Sequence, residues 1–469
     1  MEQTKKYIEK FLLQNNIPIT SNKETLFNDF ASNEDMISTV KIIQENQKKM
    51  LDKWRLKNRI DDILQQVIML PNATVNKVYE AKIEFIKLNW NDVIFSEFEG
   101  LEEIGLQYDN NEDLIFGTPT ASGDIKVKFL FRVDGEKEDS VLNEKTITLI
   151  INPDPKSLWK NKESDITDPH WKEDDVAVSG SFLDKKIVVA SKRGRSHANV
   201  GSFRDDDFAY KNYEKNGWSV VAVSDGAGSA TLSRKGAQLA CELVVSYFEE
   251  NFLSDKLEDF DEVIAAHYQE STAETTKKIS HFVYKQLSAA AYHVHKELEK
   301  LATQTETVLK DYHATLIFAL VKKYDFGYTV LTFGVGDCPI GLLSKDMSEI
   351  NLMNWLDVGE FGGGTRFITM KDIFQNEKFT TRFGFKLVED FSYLMLMTDG
   401  IYDPKFVVEA NLEKIEKWKE FVDDLKGNNE DKLSVDFETS EEGIEEQLSE
   451  WMDFWNPGNH DDRTLAIIY

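Results

Sequence analysis

The chain has 469 residues, 29% of them charged, and a formal net charge of −28. This balance excludes the basic footprint of a nucleic-acid binder and electrostatic attachment to an acidic membrane. The length predicts two or three domains with ample core. The two cysteines, Cys241 and Cys338, show neither CxxC nor zinc spacing, so buried thiols are expected and no disulfide framework is implied. No apolar run approaches the roughly 18 residues of a membrane span. The opening MEQTKKYIEKFLLQ lacks the hydrophobic stretch of a signal peptide, which predicts a cytoplasmic protein.

Residues 1–70 read as helical. One apolar stripe holds Tyr7, Ile8, Phe11 and Leu12, and others run through Ile37, Val40, Ile43 and Trp54 to Ile63, Leu64, Val67 and Ile68 before Pro71-Asn72 ends the segment. From residue 73 the period changes to that of strands, in KVYEAKIEFIKL, DIKVKFLFRV and KTITLIINP. The stretch from IGLQYDNNEDLIFGTPTASGDIKVKFLFRV to TITLIINPDP resembles the Ig-like, cadherin-like modules of bacterial proteins. That resemblance implies a β-sandwich spacer or binding module over residues 73–155. Residues 156–179 are polar and proline-punctuated, and are expected to be a linker or an ordered arm. From residue 180 a further domain is expected, with KKIVVASKRG as its first strand. Residues 256–310 read as mostly helical, and residues 405–455 as an acidic helical insertion before a last strand, TLAIIY. His293 and His295 point to different faces of a helix and predict no metal site.

Within that last region, several apolar runs end in acids. Val220–Val223 stops at Asp225-Gly226, TVLTFGV at Gly336-Asp337, and YLMLMT at Asp399-Gly400. His460-Asp461-Asp462-Arg463 leads into TLAIIY, and Asp205-Asp206-Asp207 lies ahead of the first of these runs. If the strands lie side by side, the acids converge on one rim. Clustered carboxylates repel one another unless a cation neutralises them, and carboxylate with carbonyl oxygens suits a hard divalent ion.

The segments SHANVGSFRDDDF, VAVSDGAGSATLSRKGA, HATLIFALV, FGVGDCPIGLL, GEFGGGTRFIT, LMTDGIYDP and HDDRTLAII resemble, in order, the motifs of the type 2C metal-dependent serine/threonine protein phosphatases, in a bacterial form. The resemblance covers about residues 180–469. It implies an α+β fold, an α-β-β-α sandwich catalytic domain. It also implies hydrolysis of phosphoserine or phosphothreonine in proteins by two Mn²⁺ or Mg²⁺ ions that activate water.

Carried over residue by residue, the resemblance implies that Asp225 bridges both ions and the carbonyl of Gly226 binds one. Asp399 and Asp461 would ligate the other. Asp206 would act directly or through water, with Asp207 as its register alternative. Asp462 falls at the family's Asn position, and Thr464 matches the hydroxyl that follows. Arg204, with Arg195 and Arg193 as the other nearby candidates, and His197 are candidates for holding phosphate. Ala227 stands where many members have a His proposed as the general acid. Gly362-Gly363-Gly364-Thr365 lacks a phosphate-loop ending and resembles the substrate-side flap region instead. The expected partners are a phosphoprotein substrate and a Ser/Thr kinase, with no nucleic acid and no membrane. The alternative, favoured by Ala227, is a catalytically weak phosphatase-like module that binds a partner kinase or phosphoprotein.

Overall fold

The computed structural model describes residues 2–251, 254–357, 364–438 and 443–469. The chain divides into two compact units, Met1–Leu158 and Trp159–Tyr469. No helix among the described residues is long and apolar enough to cross a membrane.

The first unit opens with three helices, α1 (Glu2–Gln14), α2 (Glu24–Ala31) and α3 (Glu34–Gln65). Asn33 caps α3 by accepting from the Asp35 amide at 2.9 Å. The helix stops at Gln65, ahead of the Pro71-Asn72 boundary expected from sequence. At that end the buried Lys145 ammonium donates to the Leu64 carbonyl at 2.6 Å, satisfying one of the acceptors a helix terminus leaves open. Seven strands follow: β1 (Ala73–Thr74), β2 (Tyr79–Lys82), β3 (Val93–Glu99), β4 (Leu106–Asp109), β5 (Leu114–Gly117), β6 (Gly123–Val133) and β7 (Asn143–Asn152). They form a four-stranded sheet ordered β1-β7-β6-β3 and a three-stranded sheet ordered β2-β5-β4. Alternation along β6 and β7 sends Val127, Phe129, Phe131, Ile147 and Leu149 into one core, where Trp90 stacks on Phe129 at 5.5 Å.

The second unit is mixed α/β. It holds β8 (Asp175–Phe182), β9 (Lys185–Lys192), α4 (Arg195–Val200), β10 (Asp207–Tyr213), β11 (Trp218–Ser224), α5 (Ser233–Asn251), α6 (Ser254–Gln269) and α7 (Ala273–Gln304). Then come β12 (Leu316–Tyr324), β13 (Gly327–Val335), β14 (Ile340–Ser344), β15 (Ile350–Leu352), β16 (Phe383–Val388) and β17 (Phe391–Met397). The chain closes with α8 (Asp399–Phe406), α9 (Ile415–Leu425), α10 (Ile444–Trp451) and β18 (Arg463–Ile468).

The strands form two sheets, ordered β10-β11-β12-β13-β16 and β15-β14-β17-β18-β9-β8, with every pair antiparallel. The unbroken apolar run in β11 follows from burial on both faces. Val221 and Val223 share a core with Ile187, Val189, Leu394 and Ala466 of the other sheet, while Val220 and Ala222 pack with α5 and α7 residues such as Val244 and Leu287. The 405–455 insertion buries Trp418, Phe421 and Trp451 against Met395, Met397, Leu465 and Ile467.

One sequence expectation changes. KKIVVASKRG is the second strand of this unit, because β8 precedes it and pairs with it from Asp175↔Lys192 to Phe182↔Lys185. Of the linker and the ordered arm expected over residues 156–179, residues 159–174 take the second form: the second unit begins at Trp159, the polar side chains of the stretch are bonded into it, and β8 starts at Asp175.

Candidate metal centre

Antiparallel pairing sets the C-terminal end of one strand beside the start of the next, so a single rim collects residues from distant parts of the sequence. In the five-stranded sheet Asp225 follows β11, Asp337 follows β13 and Asp206 precedes β10. In the six-stranded sheet Asp399 follows β17, and Asp461-Asp462 precede β18. The acids therefore converge from two sheets rather than from one row of side-by-side strands.

The turn after β11 is tied to the start of β12. The Asp225 amide donates to the Thr315 hydroxyl at 2.9 Å, and the Asp225 carbonyl accepts from the Thr315 amide at 2.8 Å. Gly226 pairs with Ala314, and a Cβ at Gly226 would lie 2.7 Å from the Asp205 carbonyl oxygen, so this crossing requires glycine. Asp337 accepts from the Thr365 hydroxyl at 2.7 Å through one oxygen. Its other oxygen, Oδ1, is buried and finds no hydrogen-bond partner among the described residues. Asp225, Asp337 and Cys338 present ligand atoms within 4.8 Å of one another.

Asp206, 1% exposed, accepts from the Thr398 and Thr464 hydroxyls, both at 2.8 Å. Asp207 turns away: its carboxylate meets the Lys172 ammonium at 2.8 Å. The fold thus brings Asp206, and not its register alternative, among the other acids.

Electrostatics record the crowding. Burial, then the charges of Asp399, Asp206, Asp337 and Asp461, hold the Asp225 carboxyl well above the usual carboxylate range. Burial, then Asp337, Asp461 and Asp206, do the same to Asp399. Burial and Asp462 push Asp206 up to about 8, against the pull of its two threonine hydrogen bonds. Asp337, Asp403 and Asp461 are raised by burial first and by neighbouring acids second. Asp403 lies one helical turn beyond Asp399 on α8, a spacing visible in the sequence itself.

A pH dependence follows. Folded Asp206 keeps its proton up to about 8, while the unfolded chain loses it near the ordinary 3.8. Stability of the metal-free protein is full below about pH 4 with respect to this group and is lost as pH rises through about 8. Thermal melts in chelator should show Tm falling across that window, and Asp206→Asn should flatten the fall. A variant with the same slope as the unmodified chain would remove Asp206 as its source.

Asp462 has a different task. It is 2% exposed and accepts from the Gly194 amide at 2.6 Å, the Asp205 amide at 2.5 Å and His197 Nδ1 at 3.0 Å. Burial opposes its charge, but His197 and these amides hold its pKa below the ordinary value. It knots the loops before α4, β10 and β18 together. Burial likewise opposes charge on His197, yet the Asp462 hydrogen bond and the charges of Asp462, Asp205 and Asp461 raise it to about 9. His197, Asp205 and Asp462 also have ligand atoms within 4.8 Å of one another. With Asp462 already accepting three donors and the imidazole favouring its proton, this group reads as an ion pair.

Arg204 departs from its expected phosphate role. The residue is 2% exposed, and its guanidinium donates to the Glu173 carbonyl at 3.1 Å, the Ser191 hydroxyl at 2.6 Å and the Asp206 carbonyl at 2.7 Å. Ser191 in turn bonds Thr464 at 2.7 Å, so Arg204 supports Asp206 from behind. Gly362 and Gly363 of the expected flap lie outside the described residues.

A family model described as protein phosphatase 2C matches residues 193–453, more than half of the chain. The chain belongs to the protein phosphatase 2C family. The matched span includes Asp206, Asp225, Asp337 and Asp399 and ends before Asp461. Phosphatases 2C are metal-dependent, and a rim dominated by carboxylates on this chain agrees with that chemistry. Among solved structures, the chain is similar to the serine/threonine phosphatase Stp1 from Staphylococcus aureus, at 13% identity and TM-score 0.36, over 62% of this chain and 95% of that one. It is similar to the S. agalactiae serine/threonine phosphatase at 13% identity and TM-score 0.35, over 60% and 98%. It is also similar to the catalytic domain of the serine threonine protein phosphatase PstP in complex with two manganese ions, at 12% identity and TM-score 0.33, over 63% and 98%. No curated protein matches it.

Proposed function

We propose that this phosphatase 2C chain hydrolyses phosphoserine or phosphothreonine in proteins through a dinuclear Mn²⁺ or Mg²⁺ centre on the acidic rim of an α-β-β-α sandwich. The observation that carries the reading is the convergence of Asp206, Asp225, Asp399 and Asp461, with a buried Asp337 oxygen beside them that finds no partner among the described residues. The donor set fits hard divalent cations, being carboxylates with one candidate backbone carbonyl and no thiolate required.

Asp225 and the Gly226 carbonyl would hold one ion. Asp225, Asp399 and Asp461 would hold the other, and Asp206 would act directly or through water. When bound, the pair supplies Lewis-acid stabilisation of the phosphoryl oxygens and lowers the pKa of the attacking water. The chain's own residues do the rest. Thr398 and Thr464 aim the Asp206 carboxylate, and Asp462 binds three loops into one frame. His197, cationic at neutral pH, can donate to a phosphate oxygen. Ala227 carries no proton donor, so water or another group protonates the leaving alcohol.

That same Ala227 supports a second reading, a weakly catalytic module that binds a kinase or phosphoprotein. The first unit is read as a helical segment followed by an Ig-like spacer or binding module, and the whole chain as cytoplasmic.

The test is hydrolysis of an aryl phosphate and of a phosphoserine peptide by the full chain. Turnover should require Mn²⁺ or Mg²⁺ and vanish in chelator. Activity surviving exhaustive chelation contradicts the metal mechanism, and phosphopeptide binding with metal but no turnover selects the binding module.

A further inference from the structure

Residues 159–174 contain neither helix nor strand, yet they touch loops that carry candidate acids. The Trp159 ring packs on His460, next to Asp461, with ring centres 4.5 Å apart. The Lys162 amide donates to the Ala198 carbonyl at 2.9 Å, and Arg193 Nη2 donates back to the Lys162 carbonyl at 2.9 Å, fastening the segment over the turn of His197. Asp168 accepts from Arg234 Nη2 at 2.8 Å, and Arg234 Nε donates to the His170 carbonyl at 3.1 Å. Arg234 lies in the first turn of α5, just after the Asp225 turn. Lys172, its side chain 10% exposed, donates to the Asp206 carbonyl at 2.6 Å, to Asp207 Oδ2 at 2.8 Å and to the Arg234 carbonyl at 3.4 Å. Asp206 is therefore held at both ends, by Lys172 and Arg204 at its carbonyl and by Thr398 and Thr464 at its carboxylate.

We propose that residues 159–174 are a strap that sets the geometry of the acidic centre, with Lys172 as the positioning residue that fixes Asp206. The proposal rests on the reading that these acids hold cations. Its physical basis is that a ligand carboxylate must be held to within about half an ångström, and the groups orienting it govern affinity. The sign separates positioning from charge. An ammonium near an acidic site repels an incoming cation, so charge alone predicts tighter Mn²⁺ binding when Lys172 is removed, whereas lost positioning predicts weaker binding.

The experiment uses full-length Lys172→Met, Asp168→Asn and unmodified protein, with Mn²⁺ as the probe. Calorimetry should show Lys172→Met binding Mn²⁺ at least about tenfold more weakly. The Mn²⁺ concentration for half-maximal aryl-phosphate hydrolysis should rise in step, while KM for the aryl phosphate at saturating Mn²⁺ stays unchanged. Asp168→Asn loosens the strap from a more exposed position and should shift Mn²⁺ affinity in the same direction by less. It carries the test if Lys172→Met does not fold. Unchanged or tighter Mn²⁺ binding overturns the proposal. If the unmodified chain itself binds no Mn²⁺, the metal reading has failed, and hydrogen exchange then decides the strap alone. In metal-free Lys172→Met the amides of residues 205–208 should exchange faster while those of β11 keep their protection. Equal protection in the two proteins overturns it.

Discussion

Asp225→Asn should abolish phosphatase activity, lowering turnover by at least about 10²-fold, or roughly 3 kcal/mol of transition-state stabilisation. A carboxylate shared by two cations cannot be replaced by an amide, which keeps the shape of the turn but removes the charge. The Asp225 amide and carbonyl bond Thr315 through the backbone, so the fold should survive. In the metal-free protein the substitution should raise Tm at pH 8, because the charges acting on Asp225 come from Asp399, Asp206, Asp337 and Asp461, all acids. Loss of activity together with a higher metal-free Tm is the expected pair. A lower Tm with retained activity would make Asp225 a turn residue.

Gly400→Ala should cost about 3 kcal/mol of stability or more, with loss of Mn²⁺ binding. Gly400 follows Asp399 at the start of α8, and a Cβ there would collide with the carbonyl oxygen of Asp462 and crowd the Arg463 side chain. The Asp462 carbonyl is backbone and cannot swing aside, so the loops carrying Asp399 and Asp461 must separate. Gly228→Ala is the control, since nothing lies within 4 Å of a Cβ at that position. Thermal melts of the two variants should differ clearly. Equal Tm values would mean that the α8 and β18 loops can part without consequence.

The acids could be read from sequence because Asp225, Asp337 and Asp399 sit where apolar runs stop, and Asp206 and Asp461 lie just ahead of others. Their two-sheet origin could not, since the pairing of β11 with β12 and of β17 with β18 is long-range and leaves no local trace. Burial on both faces erased the alternation in β11 that would have shown which side faced which layer. Sequence leaves residues 156–179 open between a linker and an ordered arm, because the contacts of this stretch are single polar bonds to distant residues, Lys172 to Asp206 and Asp168 to Arg234, with no periodicity. The family resemblance offers Arg204 as a phosphate ligand; only the fold shows its guanidinium turned inward to Ser191 and the Asp206 carbonyl. Asp462 gave the opposite case. The family pattern points to its neighbour Asp461 as a ligand, while Asp462 ties three loops through bonds to Gly194, Asp205 and His197.

The most direct measurement of the central claim is a calorimetric Mn²⁺ titration of the full-length unmodified chain at neutral pH, with aryl-phosphate turnover followed on the same samples. Two Mn²⁺ ions should bind per chain, with release of protons from the crowded carboxyls and turnover that rises with occupancy. Binding of no Mn²⁺, or turnover that does not change as Mn²⁺ binds, would contradict it.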